Sequence, residues 1–142
     1  IDETLEKTNL AKIRRGDKVN FERSVTFGTE LGGHIVSGHI HDVARVESIE
    51  TSPDNCKMTL SLSKEWMKYI LHKGFIAING CSLTVGNVDG NCIVIHLIPE
   101  TLNVTNLGDA EQGTMFNIEV DQQTYTTVTA VERYLKQQKL KQ

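Results

Sequence analysis

The chain has 142 residues, of which 39% are hydrophobic and 23% charged, as is typical of a soluble globular protein of one domain. Fifteen Lys and Arg residues stand against eighteen Asp and Glu, and the net charge of −3 leaves no basic excess for binding nucleic acid. Apolar runs are short, as at 92–95, and the N-terminus lacks a signal-peptide pattern, so neither a membrane partner nor secretion is predicted. The chain begins with Ile1 rather than Met, which indicates a processed product or a fragment.

The cysteine pattern argues against a disulfide framework and against a structural zinc site. Cys56, Cys81 and Cys92 are odd in number, and no two of them show the C-x-x-C spacing of a zinc or redox motif. A reducing, cytoplasmic location is therefore predicted.

The predicted elements begin with strands. Residues 18–23 alternate apolar and polar side chains, which predicts a half-buried strand. Residues 43–49 and 58–62 alternate in the same way, and the turn-forming residues 52–55 between them predict a hairpin. A helix with a Ser cap is predicted over 63–71.

More strands and a long helix are predicted in the second half. Strands are predicted at 75–78, 83–88, 92–98 and 115–120, with a tight hairpin turn at 89–91. Pro99 fits the first position of a short turn, and residues 124–140 show helical spacing. At least seven short strands with few helices predict an antiparallel barrel or sandwich.

A broken internal repeat stands out. Residues 1–22 align without gaps with residues 98–119, at an offset of 97, and ten of the 22 positions are identical. Average composition would give roughly one or two identities by chance. Two similar domains would explain this, with the chain holding the tail of one and nearly all of the next. The alternative is a turn motif that recurs inside one domain.

Three local clusters could carry chemistry. The first is the glycine-rich segment 32–41, where a strand would place His39 and His41 on one face. It could be a loop that contacts a ligand or a structural bulge. A metal site is a third interpretation, but the sequence offers no obvious third metal ligand nearby. The second cluster follows the turn at 79–80, where Ser82 and Thr84 lie on one face of a strand. The two hydroxyls could bind a polar ligand, or they could be ordinary strand residues. The third cluster is the repeated motif I-x-E-T-L-x-x-T-N-L. It could form a ligand shelf, meaning a strand-to-turn segment on which a ligand rests, or a helix-capping turn.

Together these clusters resemble riboflavin synthase of the alpha-chain type. The resemblance rests on LGGHIVSGHIH, MKYILHKGFIAINGCSLTVGNVDG, VIHLIPETLNVTNLG and NIEVDQQT…AVERYL, and it covers essentially the whole chain. It implies an all-β fold, a six-stranded antiparallel Greek-key barrel with a short helix and a C-terminal helix. It also implies the boundaries: 1–22 as the tail of an N-terminal barrel, 23–123 as the C-terminal barrel and 124–142 as an oligomerisation helix.

The resemblance implies an activity as well. Family members bind 6,7-dimethyl-8-ribityllumazine and transfer a four-carbon unit from one lumazine to another, giving riboflavin and 5-amino-6-ribitylaminopyrimidinedione. They use no cofactor and no metal, form homotrimers and are expected to contact lumazine synthase. Their active site lies between the N-terminal barrel of one subunit and the C-terminal barrel of another.

Site residues follow from the resemblance position by position. His39 and Ser82 are expected to relay protons or polarise the ring, with Thr84 in support. The expected substrate-binding residues are Ile1, Asp2, Glu3, Thr4, Gly38, His39, Ile40, Lys73, Ser82, Leu83, Thr84, His96, Leu97, Ile98, Pro99, Glu100, Thr101 and Asp121.

The chain also departs from the family pattern, since most of one barrel is absent from the sequence. We therefore expect this chain alone to be inactive and to bind lumazine or riboflavin weakly or not at all. A non-catalytic antenna protein that binds lumazine or flavin is the alternative function, and an unrelated Greek-key interaction module is a third.

Overall fold

A closed barrel of six antiparallel strands forms the centre of the computed structural model, which describes residues 2–140. The strands pair in the order β1-β2-β5-β4-β3-β6, and β6 closes the barrel by pairing with β1. This confirms the predicted fold. The strands are β1 (Asp42–Ser52), β2 (Asn55–Ser61), β3 (Phe75–Ile78), β4 (Cys81–Asp89), β5 (Cys92–Leu97) and β6 (Met115–Val120).

Three tight connections produce the hairpins that the turn residues predict. The β1–β2 and β4–β5 hairpins turn at the predicted positions, 52–55 and 89–91. Between β3 and β4, Asn79 and Gly80 adopt positive φ angles of 46° and 80°. Two consecutive left-handed residues match the twist of an antiparallel pair, which is why Asn-Gly suits this turn.

Alternation along the strands divides them into an inner and an outer face. On β6, Phe116, Ile118 and Val120 belong to the hydrophobic core, whereas the polar Asn117 and Glu119 occupy the alternate positions. Strand residues point to opposite faces in turn, so Asn117 and Glu119 lie on the outside of the barrel. The buried apolar side chains fill the lumen of the barrel.

The predicted C-terminal helix is α3 (Gln122–Lys139), and its N-terminus is capped by Asp121. The Asp121 carboxylate accepts from the backbone N–H of Thr124 at 2.9 Å. Tyr125 and Val128 pack α3 against the barrel core. None of the helices described within residues 2–140 is long and apolar enough to cross a membrane.

Two sequence-based predictions are wrong. Residues 63–71 form turns and a short 3₁₀ helix, Met67–Tyr69, instead of an α-helix. Residues 18–23 form no strand, although their counterpart 115–120 is β6, so the described chain has six strands rather than seven or more. A strand needs hydrogen-bonding neighbours; β6 lies between β1 and β3, whereas within residues 2–140 no strand pairs with 18–23.

The internal repeat is visible in the structure. Helix α1 (Asp2–Lys7) and helix α2 (Pro99–Val104) lie at the offset of 97, as do the 3₁₀ helices Asn9–Lys12 and Asn106–Asp109. Thr8 and Thr105 cap the two 3₁₀ helices in the same way, each hydroxyl accepting from the backbone N–H two residues on.

The two copies of the repeat also exchange hydrogen bonds. The Asn9 N–H donates to Asn117 Oδ1, and the Asn106 N–H donates to Asn20 Oδ1, both at 2.7 Å. The Asn9 amide also donates to the Met115 carbonyl, and the Asn106 amide donates to the carbonyl of Lys18. Each of these two bonds from the first copy to the second therefore has a counterpart running the other way.

We predict that Ile93→Ala lowers the free energy of unfolding by about 2–5 kcal/mol, because the Ile93 side chain is fully buried and truncation leaves a cavity. Urea denaturation measures the change. The matched control Ile35→Ala, at a site 69% exposed, should stay within about 0.5 kcal/mol of the unaltered chain. Equal losses in both variants would contradict this assignment of the core.

We predict that Asn117→Ala frees the segment at Asn9, because the variant removes the oxygen that accepts from the Asn9 backbone N–H. Amide hydrogen exchange should show faster exchange at Asn9 than in the unaltered chain. Asn103→Ala, at an exposed position of α2, is the control and should leave that exchange rate unchanged. Unchanged exchange in both variants would show that the contact does not hold the segment.

Candidate functional site

The predicted hydroxyl pair lies on the outside of the barrel. Ser82 and Thr84 project from β4 away from the core, while Leu83 between them packs against it. The register places Ser82 opposite Ala77 of β3, and Ala77 in turn opposite Glu119 of β6. Ser82, Ala77 and Glu119 therefore form a row across the outer face of three strands.

Other predicted residues gather at the same end of the barrel. Val85 pairs with Ile95, so the residues before Val85 and those after Ile95 lie at one end of β4 and β5. His96 is exposed at that end, whereas Leu97 is buried in the core. Lys73 adopts a positive φ of 61°, and its backbone N–H donates to the Val85 carbonyl at 2.8 Å.

His34 lies on Ser82, a contact that the sequence analysis missed. The backbone N–H of His34 donates to Ser82 Oγ at 3.1 Å, and its Nδ1 lies 2.6 Å from the same oxygen. The imidazole stacks on Phe75, and Nε2 is buried without a hydrogen-bond partner among the described residues. Gly33 fits here because it adopts φ 84° and a Cβ would collide with Ser82 Oγ.

Glu119 holds the loop that carries His39, and it too was absent from the predicted site. Its side chain accepts from the backbone N–H groups of Ser37 and Gly38 and from the Ser37 hydroxyl, at 2.7–2.8 Å. His39 is exposed, with Nδ1 2.9 Å from Ser37 Oγ. Long-range pairing across the barrel creates this contact, and a single sequence carries no signal for it.

His41 has a different environment from His39. Its imidazole lies beside Trp66 and Tyr125, and the Val120 backbone N–H donates to its Nδ1 at 3.2 Å. Burial lowers the pKa of His41 below its ordinary value, against a smaller opposing effect of Glu119. The predicted strand that would place His39 and His41 on one face is wrong, since 32–41 forms no strand.

Two other ionisable side chains bear on the chemistry that the site can perform. Burial raises the pKa of the Cys81 thiol, which disfavours a thiolate nucleophile beside Ser82. Among residues 2–140, no three His, Cys, Asp or Glu side chains lie in an arrangement that could hold a metal ion.

The two predicted ligand shelves are short helices. Ile98 is 59% exposed and precedes α2, which contains Pro99, Glu100 and Thr101. Asp2, Glu3 and Thr4 occupy the same positions in α1, while Ile1 lies outside the described residues.

Two clefts run beside the barrel rather than through it. One, of about 480 Å³, lies between the N-terminal segment and the barrel and is lined by residues such as Asn9, Asn20 and Asn117. The other, of about 520 Å³, is lined by His41, Trp66 and others. Ile40 lines both, but Ser82, Thr84 and Lys73 line neither. Lys73 and Thr84 are exposed on the outside of the barrel, whereas Ser82 is half-buried beneath His34.

A comparison with models of protein families identifies the family of the chain. The model of the lumazine binding domain matches residues 37–121, a range that spans all six strands of the barrel. The chain belongs to the lumazine-binding domain family. The matched range contains Gly38, His39, Lys73, Ser82 and Thr84.

Sequence relatives of this member of the lumazine-binding domain family include riboflavin synthases. That of Escherichia coli (strain K12) is 49% identical over 134 residues, which are 94% of this chain and 63% of the relative. That of Chlamydia pneumoniae is 41% identical over 135 residues, 95% of this chain and 66% of the relative. The chain thus spans a little less than two thirds of the length of these relatives.

Solved structures with the same barrel include ligand complexes. LumP complexed with riboflavin has a TM-score of 0.76 at 33% identity, covering 84% of this chain and 65% of that one. LumP complexed with 6,7-dimethyl-8-(1'-D-ribityl) lumazine has a TM-score of 0.75 at 29% identity, covering 84% and 64%.

We predict that the free energy of unfolding falls as the pH drops below about 6.5, the ordinary pKa of His, partly through His41. Below that pH the unfolded chain binds a proton that the buried imidazole resists, so stability present at higher pH is lost. Urea denaturation at several pH values should give a smaller slope for His41→Gln. The control His96→Gln, at an exposed position, should keep the slope. An unchanged slope in His41→Gln would contradict the prediction.

Proposed function

We propose that this chain supplies one lumazine-binding half of a riboflavin synthase. The reaction transfers a four-carbon unit between two molecules of 6,7-dimethyl-8-ribityllumazine and yields riboflavin and 5-amino-6-ribitylaminopyrimidinedione. The riboflavin synthase relatives at 41–49% identity and the family match over residues 37–121 support the proposal.

The observation that carries the proposal is the position of Ser82, Thr84 and His39 outside the barrel lumen. Ser82 and Thr84 lie on the outer face of a barrel whose lumen is filled, and His39 lies on the loop before β1, so the ligand is placed against the outside. A heterocycle on an open surface keeps one side exposed to water. A second protein surface would exclude that water and would bring a second lumazine close to the first.

In this proposal each polar group has a stated role. Hydroxyls of Ser82 and Thr84 hydrogen-bond the ring where charge develops, and His39 accepts or returns a proton. Lys73 and the shelf from His96 to Thr101 bind the ring and the ribityl chain. Asp121 lies near the ribityl tail in the family pattern, although here its carboxylate is engaged in capping α3.

We also propose the domain arrangement of the family for this chain. Residues 1–22 would end a preceding barrel, 23–123 form the second barrel, and 124–142 form a helix for oligomerisation. The exposed apolar side chains of Val19 and Phe21 support a further neighbour for the first segment. On α3, Val131, Tyr134 and Leu135 are exposed and support a helix that packs against copies of itself in a homotrimer.

A non-catalytic flavin-binding protein is the second candidate. The likeness to LumP favours it, since LumP forms complexes with riboflavin and with the lumazine. A two-barrel protein that binds the lumazine and leaves it unchanged would support this candidate over the enzyme.

We predict that the 142-residue chain forms no riboflavin from 6,7-dimethyl-8-ribityllumazine, because it presents one half-site. In a fusion protein, the part of the Escherichia coli relative that this chain does not match precedes the chain. This fusion should form riboflavin, measured by the fluorescence of the product. In that fusion Ser82→Ala should lower kcat by about 10²-fold or more, while Ser48→Ala, on the opposite β1–β2 side of the barrel, should have little effect.

Two results would contradict the proposal. Riboflavin formed by the isolated chain would refute the half-site, and a folded fusion that binds the lumazine without converting it would refute the enzyme.

A further inference from the structure

A chain of hydrogen bonds from Glu119 through Ser37 determines which ring nitrogen of His39 carries the proton. The Glu119 side chain is 3% exposed, and backbone N–H groups point at both of its oxygens, from Ser37 to Oε1 and from Gly38 to Oε2. Backbone N–H bonds to both oxygens favour the charged carboxylate, and the Ser37 hydroxyl also donates to Oε1. Glu119 is therefore an acceptor in all of its contacts.

The Ser37 hydroxyl transmits this constraint to His39. Ser37 Oγ lies 2.8 Å from Glu119 Oε1 and 2.9 Å from His39 Nδ1. A hydroxyl has one hydrogen, and here it is donated to the carboxylate. The Ser37 oxygen must then accept, so Nδ1 of His39 carries the proton. Neutral His39 consequently has its lone pair on Nε2.

His41, two residues away, has the opposite arrangement. The Val120 backbone N–H donates to His41 Nδ1, so the lone pair of neutral His41 is on Nδ1 and its proton is on Nε2. The two histidines of this segment therefore present opposite tautomers. Glu119 is the nearby acidic group, and it contacts His39 only through Ser37.

We propose that Ser37 and Glu119 are positioning residues that fix His39 as a proton acceptor at Nε2. Within residues 2–140 this nitrogen has no hydrogen-bond partner, and the His39 side chain is exposed on the loop that Glu119 holds. An Nε2 lone pair suits the removal of a proton from an acidic C–H or N–H of a bound heterocycle. The catalytic consequence rests on the proposed function; the tautomer does not.

Nuclear magnetic resonance tests the tautomer directly in the unaltered, ligand-free chain. With ¹⁵N-labelled histidine, long-range ¹H–¹⁵N correlations at a pH of about 8, above the ordinary pKa of His, distinguish the protonated ring nitrogen from the bare one. The chain has five histidines, and His39→Gln and His41→Gln assign the two sets of signals. We expect protonated Nδ1 in His39 and protonated Nε2 in His41. Protonated Nε2 in His39 would overturn the proposal.

Variants of Ser37 test the positioning. In Ser37→Ala the hydroxyl is lost while the backbone N–H bond to Glu119 remains, and His39 should shift towards protonated Nε2. Ser37→Thr keeps a hydroxyl and should retain the original tautomer. The His41 signals should be the same in all three proteins, which shows that the barrel is intact. A His39 tautomer unchanged by Ser37→Ala would refute the role of Ser37.

The fused two-barrel protein separates this proposal from the proposed function. In the fusion, Ser37→Ala should lower kcat by about 10–100-fold with little change in KM. This loss is part of the rate enhancement that general acid–base catalysis gives. Ser37→Thr should restore kcat. An unchanged kcat would overturn the catalytic role. If the fusion binds lumazine without converting it, the proposal of an enzyme fails. The proposed tautomer of His39 is then still tested by the nuclear magnetic resonance experiment.

Discussion

The structure depends on strand β6, which pairs with β1 on one side and with β3 on the other and so closes the barrel. Its alternating side chains serve two purposes. Phe116, Ile118 and Val120 fill the lumen, while Asn117 and Glu119 reach outward to the two segments that cross the outside of the barrel. Because strand residues alternate, a slip of one position would reverse these roles and would remove the core and both contacts together.

A filled lumen determines where chemistry can take place. Small barrels have interiors just wide enough for their own side chains, so the polar groups of β4 and of the loop before β1 lie outside the lumen. In the proposed function, such an outer surface would contact a flat heterocycle on one side only. The same geometry explains why glycine is required at Gly33, where the chain passes directly over Ser82, and why the short side chain of Ala77 suits the position between Ser82 and Glu119.

Much of the fold could be predicted from local pattern, and the errors have physical causes. Alternation and turn residues located the hairpins, and Pro99 located the start of α2. Residues 18–23 alternate like β6 but are no strand, since strand formation depends on partners that a local pattern does not contain. The contacts of His34 with Ser82 and of Ser37 with Glu119 join residues 48 and 82 positions apart. Only the closed barrel brings such distant residues together.

The reciprocal hydrogen bonds between the two copies of the repeat bear on the ancestry of the chain. Bonds that match at one fixed offset, as Asn9 to Asn117 and Asn106 to Asn20 do, are those that two identical subunits form across a twofold axis. Duplication and fusion of a gene for such a dimer would place both partners in one polypeptide. The contact then forms within a molecule at high effective concentration, and it no longer depends on how much protein a cell makes.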